Sequence, residues 1–179
     1  MNTSLDLVRD FVNTCDLEEG LERLESPAAT RRWLVERNVL AQNARVTGGD
    51  VRRLIDVREA LRELLLVNNG IRVDTRRAAG VLDDAACRAG LAVRFMHGGG
   101  ARVQPSARGV DGAIGWILAS AAGAMAEGTW TRLKACRSNL CRWAFYDGAR
   151  NQSRVWCSMR ICGNREKARA FRRRHASTR

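Results

Sequence analysis

Cys136-Arg-Ser-Asn-Leu-Cys141, then fifteen residues, then Cys157-Ser-Met-Arg-Ile-Cys162-Gly163-Asn164-Arg165: two cysteine pairs share the same spacing and are separated by about the length of a small hairpin. Two tight turns, each offering two soft ligands, are what one tetrahedral structural zinc site requires. With thiolates in all four positions no place remains for water or substrate, so such an ion builds structure and performs no chemistry. Other readings of four cysteines stand beside this one. An iron–sulfur cluster also uses four thiolates, although the third cysteine that follows two residues on in ferredoxins is missing here. Disulfides would need an oxidising compartment, and four buried thiols with no common role would be small hydrophobes. Cys15 and Cys87, each alone in an apolar helical pattern, read as that last kind.

Charge is distributed as unevenly as the cysteines. Residues 1–131 hold 17 Lys+Arg and 17 Asp+Glu, whereas residues 132–179 hold 14 and 2, so the whole net charge of +12 lies in the last 48 residues (0 + 12). One Zn²⁺ bound by four thiolates would subtract two charges, leaving about +10 there, a field suited to a polyanion. The opening residues lack a basic start, a long apolar run and a small-residue cleavage site, and no run of eighteen uninterrupted apolar residues occurs. The expectation is a cytoplasmic protein with reduced thiols and no membrane partner.

Helical periodicity dominates the first 128 residues. Leu5, Val8, Phe11, Val12 and Cys15 fall on one face, with Asn13 and Thr14 near the end of that helix. Ser26-Pro27 opens a second helix that runs to about Asn38. Asp50 is placed to cap a third, carrying Val51, Leu54, Leu61 and Leu65 and closed by Asn68-Asn69-Gly70. A fourth runs from Asp74-Thr75 to Gly90. Residues 91–105 switch to a hairpin around a Gly-rich tip, and residues 110–127, with Ile114, Trp116, Ile117, Leu118 and Met125, return to a buried central helix. The predicted fold class is mainly α with a small β-hairpin, followed by a small α+β zinc-finger module. The boundary is expected near Glu127-Gly128-Thr129, giving a helical domain over 1–128 and a finger over 129–179.

Within the finger, Trp130-Thr-Arg-Leu133 reads as extended. The aromatic-polar alternation of residues 142–156 around Asp147-Gly148 reads as a two-stranded hairpin. After Cys162, Asn164 is placed to cap a basic helix. On its wheel Arg165, Arg169 and Arg172 share one face, while Ala168 and Phe171 face elsewhere, toward the finger's own core. The amides at its start could hold a phosphate.

The run Cys136-x4-Cys141-Arg-Trp-x-Phe-x-Asp147, continued by Arg154-x-Trp156-Cys157-Ser158-Met159-x2-Cys162-Gly163-Asn164-Arg165-x-Lys167, resembles the CGNR zinc finger. Asp10-Phe11-Val12-Asn13-Thr14, followed by Trp33-Leu34 and the arginine-flanked leucine helix of residues 51–66, is similar to the ABATE-type helical domain that usually precedes that finger. The resemblance spans essentially the whole chain. It implies one structural zinc per chain held by Cys136, Cys141, Cys157 and Cys162, and a stress-related bacterial transcription regulator acting at the nucleoid.

The leading expectation is therefore binding of duplex DNA. Arg165, Arg169, Arg172 and Arg160 would approach bases or phosphates, and Arg150, Asn151, Arg154, Lys167, Arg173 and Arg174 would hold the backbone. The alternative is a single-stranded RNA or DNA, stacked on Trp143, Phe145, Tyr146 and Trp156, although so small a finger also needs these aromatics for its own core. Catalysis is not expected: His97 sits in a glycine loop, His175 in the tail, and no nucleophile, histidine and carboxylate are suitably spaced. The charge-balanced helical domain is expected to form a homodimer, to sense a small-molecule effector, or both. Asn13, with Trp33, Trp116 and Met125 elsewhere, either lines a small pocket or caps and bridges helices.

Overall fold

The computed structural model describes residues 3–176. Helix α1 (Thr3–Val12) is shorter than its apolar period. Thr14 turns its hydroxyl back onto the Phe11 carbonyl at 2.8 Å, which ends the ladder and sends Cys15 into a strand. That strand, β1 (Cys15–Asp16), pairs antiparallel with β2 (Leu21–Glu22). Cys15 is half-buried there and Cys87 is exposed, so neither is the enclosed small hydrophobe expected of it.

Helix α2 (Pro27–Glu36) begins as read: proline occupies the first turn and Ser26 Oγ accepts from the Ala29 amide. Helix α3 (Gly48–Asn68) is capped three residues earlier than expected. Thr47 is the cap and Asp50 is its partner, the hydroxyl accepting from the Asp50 amide and the carboxylate from the Thr47 amide. This is a capping box, in which both side chains satisfy free amides of the first turn.

Helix α4 (Arg76–Ala89), the antiparallel hairpin of β3 (Leu91–Phe95) and β4 (Ala101–Pro105), and helix α5 (Gly109–Ala126) follow as predicted. With 18 residues and a mean hydropathy of 1.3, α5 is long and apolar enough to cross a membrane, but half of it is buried within the protein. It packs against α1, α4 and β4. Gly115 makes that contact possible, since a Cβ there would stand 2.5 Å from Pro105 Cβ and 2.8 Å from Ala89 Cβ. Trp116 and Met125, expected inside, lie on the solvent side of α5.

The core gathers Leu5, Val8 and Phe11 of α1, Leu34 of α2, Leu54, Leu61 and Leu65 of α3 and Ile117 of α5. Trp130, Leu133, Ala135 and Ala144 belong to the same cluster, so the region around the first cysteine pair is rooted in the helical core. Residues Trp130–Arg132 form a 3₁₀ turn where an extended segment was expected. Then β5 (Leu133–Ala135) pairs antiparallel with β6 (Ala144–Tyr146), Lys134 opposite Phe145. The hairpin predicted around Asp147-Gly148 is therefore replaced by one that spans the first cysteine turn. The reason is Asp147: its buried carboxylate draws in the amides of Ala149 and Arg154, and Lys134 binds the carbonyls of Gln152 and Arg154, so side chains satisfy the segment that would have been the second strand.

The chain closes with a π-helical turn, Met159–Gly163, leading into α6 (Asn164–Ala176). Ser158 caps the turn by accepting from the Ile161 amide, and Asn164, expected as the cap, is already helical at φ −68° and ψ −38°. The architecture is mainly α with small antiparallel strand pairs and a small cysteine-bearing module at the C-terminal end.

Candidate metal centre and basic surface

Each cysteine pair sits in a turn built by its own backbone. In the first, the amides of Cys141 and Arg142 both donate to the Ser138 carbonyl, and Arg142 takes a left-handed conformation at φ 53°. In the second, the Gly163 amide donates to the Ser158 carbonyl. These turns bring the four sulfurs within 4.8 Å of one another. Cys141 Sγ lies 3.5 Å from Cys157 Sγ, which lies 3.6 Å from Cys162 Sγ. With Zn–S bonds of about 2.3 Å, a tetrahedron places its sulfurs ~3.8 Å apart, so the donor set fits one zinc ion. A disulfide would need ~2 Å. A multi-iron cluster would spread its cysteines over separate irons, whereas these converge on one point.

Electrostatics tell the same story. Hydrogen bonds from Cys141 and Cys157 pull the Cys136 thiol far down, to about 2, even though burial opposes its ionisation. The same sharing pushes Cys141 up to about 12, and Cys157 is also pushed up by its bonds to Cys136 and Cys141. One thiolate satisfies the crowded group; further ionisation needs a cation among the sulfurs. Backbone amides already point inward, that of Trp143 toward Cys141 and that of Cys157 toward Cys136. Such outer contacts orient metal-binding thiolates.

Two known families match the chain. Residues 5–129 match ABATE, described as a putative stress-induced transcription regulator, and residues 132–175 match the CGNR zinc finger. The chain belongs to the ABATE family. A search among curated proteins returns no match.

The residues that join the ABATE body to the CGNR finger were mostly missed by sequence reading. Asn13, at the end of α1, donates to the Ala144 carbonyl at 2.9 Å and accepts the Ala144 amide at 2.7 Å, standing beside β6 like a further strand residue. It bridges, as one of its two expected roles required, but to a strand of the finger and not to a helix. At the end of α3, Asn68 reaches the carbonyls of Trp130 and Leu133, and Asn69 those of Ala135 and Val155. Arg62 ties the Val12 carbonyl to that of Arg142 at 2.7 and 2.9 Å. Arg137 returns from the finger to the Asn69 carbonyl. In sequence, Asn-Asn-Gly at positions 68–70 signals only a helix stop; the signal for a distant partner is the pair of side-chain amides at the end of a buried helix.

Within the tetrad Cys162-Gly163-Asn164-Arg165, each position has a separate task. Gly163 leaves room for Met159, since a Cβ would lie 2.4 Å from its Sδ and 3.1 Å from Trp156 Cδ1. Arg165 pairs with Glu18 of the β1–β2 turn at 2.6 Å, linking the finger to the ABATE body across 147 residues of sequence. Arg169 pairs with Glu166 at 2.6 Å, and Glu166 also receives the Ser138 hydroxyl. The half-buried side of α6 is thus the side of Arg165, Glu166 and Arg169. Ala168 and Phe171, expected to pack inward, are exposed, and Phe171 stacks on His175 at 4.0 Å. The wheel found the faces but could not see that Glu18 would draw the other one inward.

Of the remaining expected contacts, Arg150, Asn151, Arg160, Lys167, Arg172, Arg173 and Arg174 are exposed. Arg154 is exposed too, with its guanidinium over the Phe145 ring and bonded to the Cys157 carbonyl. Among the candidate stacking rings Phe145 is buried, Trp143 and Trp156 are half-buried against the cysteine cluster, and Tyr146 is exposed.

Proposed function

We propose that this protein is a DNA-binding transcription regulator whose finger is folded around one structural zinc held by Cys136, Cys141, Cys157 and Cys162. When bound, the ion supplies a closed tetrahedral crosslink between the two turns and stabilises the thiolate form of all four ligands. The observation that carries the reading is the convergence of the four sulfurs within 4.8 Å at the root of a helix, α6, that has a single acidic residue and six Lys or Arg. The protein's own residues do the rest. Arg150, Asn151, Arg154 and Lys167 hold phosphates, Arg160 and Arg172 approach the groove, and Arg173 and Arg174 extend the basic track. Arg165 and Arg169 join when their acidic partners release them. No catalytic role is assigned.

The ABATE body orients this surface through the Asn13, Asn68 and Asn69 bonds, and it is the natural seat of effector sensing or of dimerisation. A dimer would double the basic surface and match a two-fold site. The protein works in the cytoplasm, at the nucleoid.

The test is fluorescence anisotropy of zinc-loaded full-length protein with random duplex and with single-stranded competitor, across a salt series. If six cations neutralise phosphates, log affinity falls against log salt with a slope of about −5. A slope near zero overturns the proposal. Preference for single strands transfers it to the stacking alternative, for which Tyr146 is the exposed ring.

A further inference from the structure

The ABATE body and the finger flank an open groove of about 250 Å³. Asn13 lies in it, held by its two bonds to Ala144, and Trp33 of α2 and Trp143 of the finger are its aromatic walls. Its charged lining is three arginines, Arg9, Arg23 and Arg37, against one carboxylate, Asp10. That carboxylate is already committed. Arg9 holds it at 2.9 Å and also holds Asp6 at 2.8 Å. Arg37 reaches it only at 3.4 Å, stacks over the Trp33 ring at 5.3 Å, and keeps a buried Nε with no hydrogen-bond partner. Arg23 stands at the groove's open side with an exposed side chain.

One guanidinium with a buried, unpartnered Nε, Arg37, and a second, solvent-exposed one, Arg23, on the same groove favour an acceptor that is planar and anionic, because a carboxylate accepts two parallel N–H bonds from such a fork. The indole walls call for a flat apolar body behind it. A volume of 250 Å³ is below the ~300 Å³ at which sites for drug-sized ligands begin, so the ligand is metabolite-sized. We propose that this groove is a binding site for a small aryl carboxylate, with its carboxylate between Arg23 and Arg37 and its ring against Trp143. Such a ligand would bear on the metal centre: the Trp143 carbonyl accepts the Cys136 amide at 2.9 Å and the Trp143 amide points at Cys141. It gives the effector role of the body a place and a chemistry, without depending on what the finger binds.

Sodium benzoate titrated into the zinc-loaded full-length protein, followed by calorimetry and by ligand-observed NMR in the absence of DNA, tests the site. The expected result is saturable binding, with benzamide, which has the same shape without the charge, weaker by about tenfold or more. Arg23→Gln should weaken benzoate by a similar factor and leave the melting temperature unchanged, because that side chain is exposed; Arg37→Gln should weaken it as well. No saturation by about 10 mM, roughly ten-thousandfold weaker than a micromolar site, overturns the proposal. So do benzamide binding as tightly as benzoate, benzoate binding unaltered in Arg23→Gln, or inorganic phosphate binding more tightly than benzoate. Since no DNA is present, failure here leaves the regulator reading intact, and failure of DNA binding leaves this one intact.

Discussion

Replacing Asp147 by asparagine should cost more stability than any other isosteric change in the finger. The side chain is fully enclosed, and its partner Lys134 is nearly so. Asp147 Oδ2 accepts Lys134 Nζ at 2.7 Å and the Arg154 amide at 3.0 Å, while Oδ1 accepts the Ala149 amide at 3.0 Å. Asparagine keeps the shape but offers one oxygen, so its NH₂ must face at least one of these donors, and the Lys134 ammonium loses its counter-charge in an enclosed site. Removing one partner of a buried ion pair costs about 3–5 kcal/mol. For a chain of this length, 1 kcal/mol corresponds to roughly 2–4 °C in melting temperature, so a fall of about 10 °C is expected. Denaturant and thermal unfolding of the zinc-loaded protein measure it, and Lys134→Met added to Asp147→Asn should recover part of the loss by removing the stranded charge. A loss under about 1 kcal/mol, the value of a solvated surface pair, would refute the argument. The pH dependence has a definite sign. Burial alone would raise Asp147, but the Lys134 bond and the two amides outweigh it and hold the carboxyl below its ordinary range. A depressed folded pKa contributes stability that is complete above the unfolded value of about 3.9 and is lost as pH falls through the folded one. This pair should therefore remain intact down to about pH 4 and fail below it.

Chelation of metal at neutral pH should release one zinc per chain, measured by elemental analysis, and loosen the cysteine turns and α6 while the shared core of α1 to α5 keeps most of its circular dichroism; loss of the whole helical signal would show that this core depends on the metal. Gly163→Ala should destabilise the finger by about 1–3 kcal/mol through overpacking against Met159 and Trp156, and shortening Met159 to alanine in the same chain should recover part of it. Glu18→Gln, which frees Arg165, should tighten duplex DNA several-fold in anisotropy and steepen the salt slope by about one contact. An unchanged slope would show that Arg165 does not reach phosphate.

What the sequence made legible was local. Ser26-Pro27 starts a helix because cap and first turn lie within three residues of each other, and the cysteine spacing declares a site because each turn closes on itself. The hairpin of residues 91–105 carries its own turn. The misplacements have one cause, that several local solutions were available and distant groups chose among them. Asp50 is an adequate cap until Thr47 is seen to use it as a partner. Residues 144–146 could pair forward or backward, and the buried Lys134–Asp147 pair settles the direction by satisfying the forward segment with side chains. Phe171 could pack or not, and a glutamate 153 positions earlier decides, by holding Arg165 against the body.

The polar residues at helix ends decide how the finger is held, and they were the least legible. Asn13, Asn68 and Asn69 end α1 and α3, where helices ordinarily leave carbonyls and amides to water or to caps. Here their side chains satisfy carbonyls 62 to 131 residues away in the finger. Nothing in an asparagine's own neighbourhood names so distant a partner. The consequence is mechanical. Four residues of the finger share the helical core, and the asparagines bind the strands and loops that flank the cysteines, so the first cysteine turn cannot be displaced without breaking buried or partly buried hydrogen bonds. A substitution in the body beside Asn13, or the ligand proposed between Trp33 and Trp143, should therefore reach Ala144 and the first cysteine turn through short, fixed contacts and not through a flexible linker.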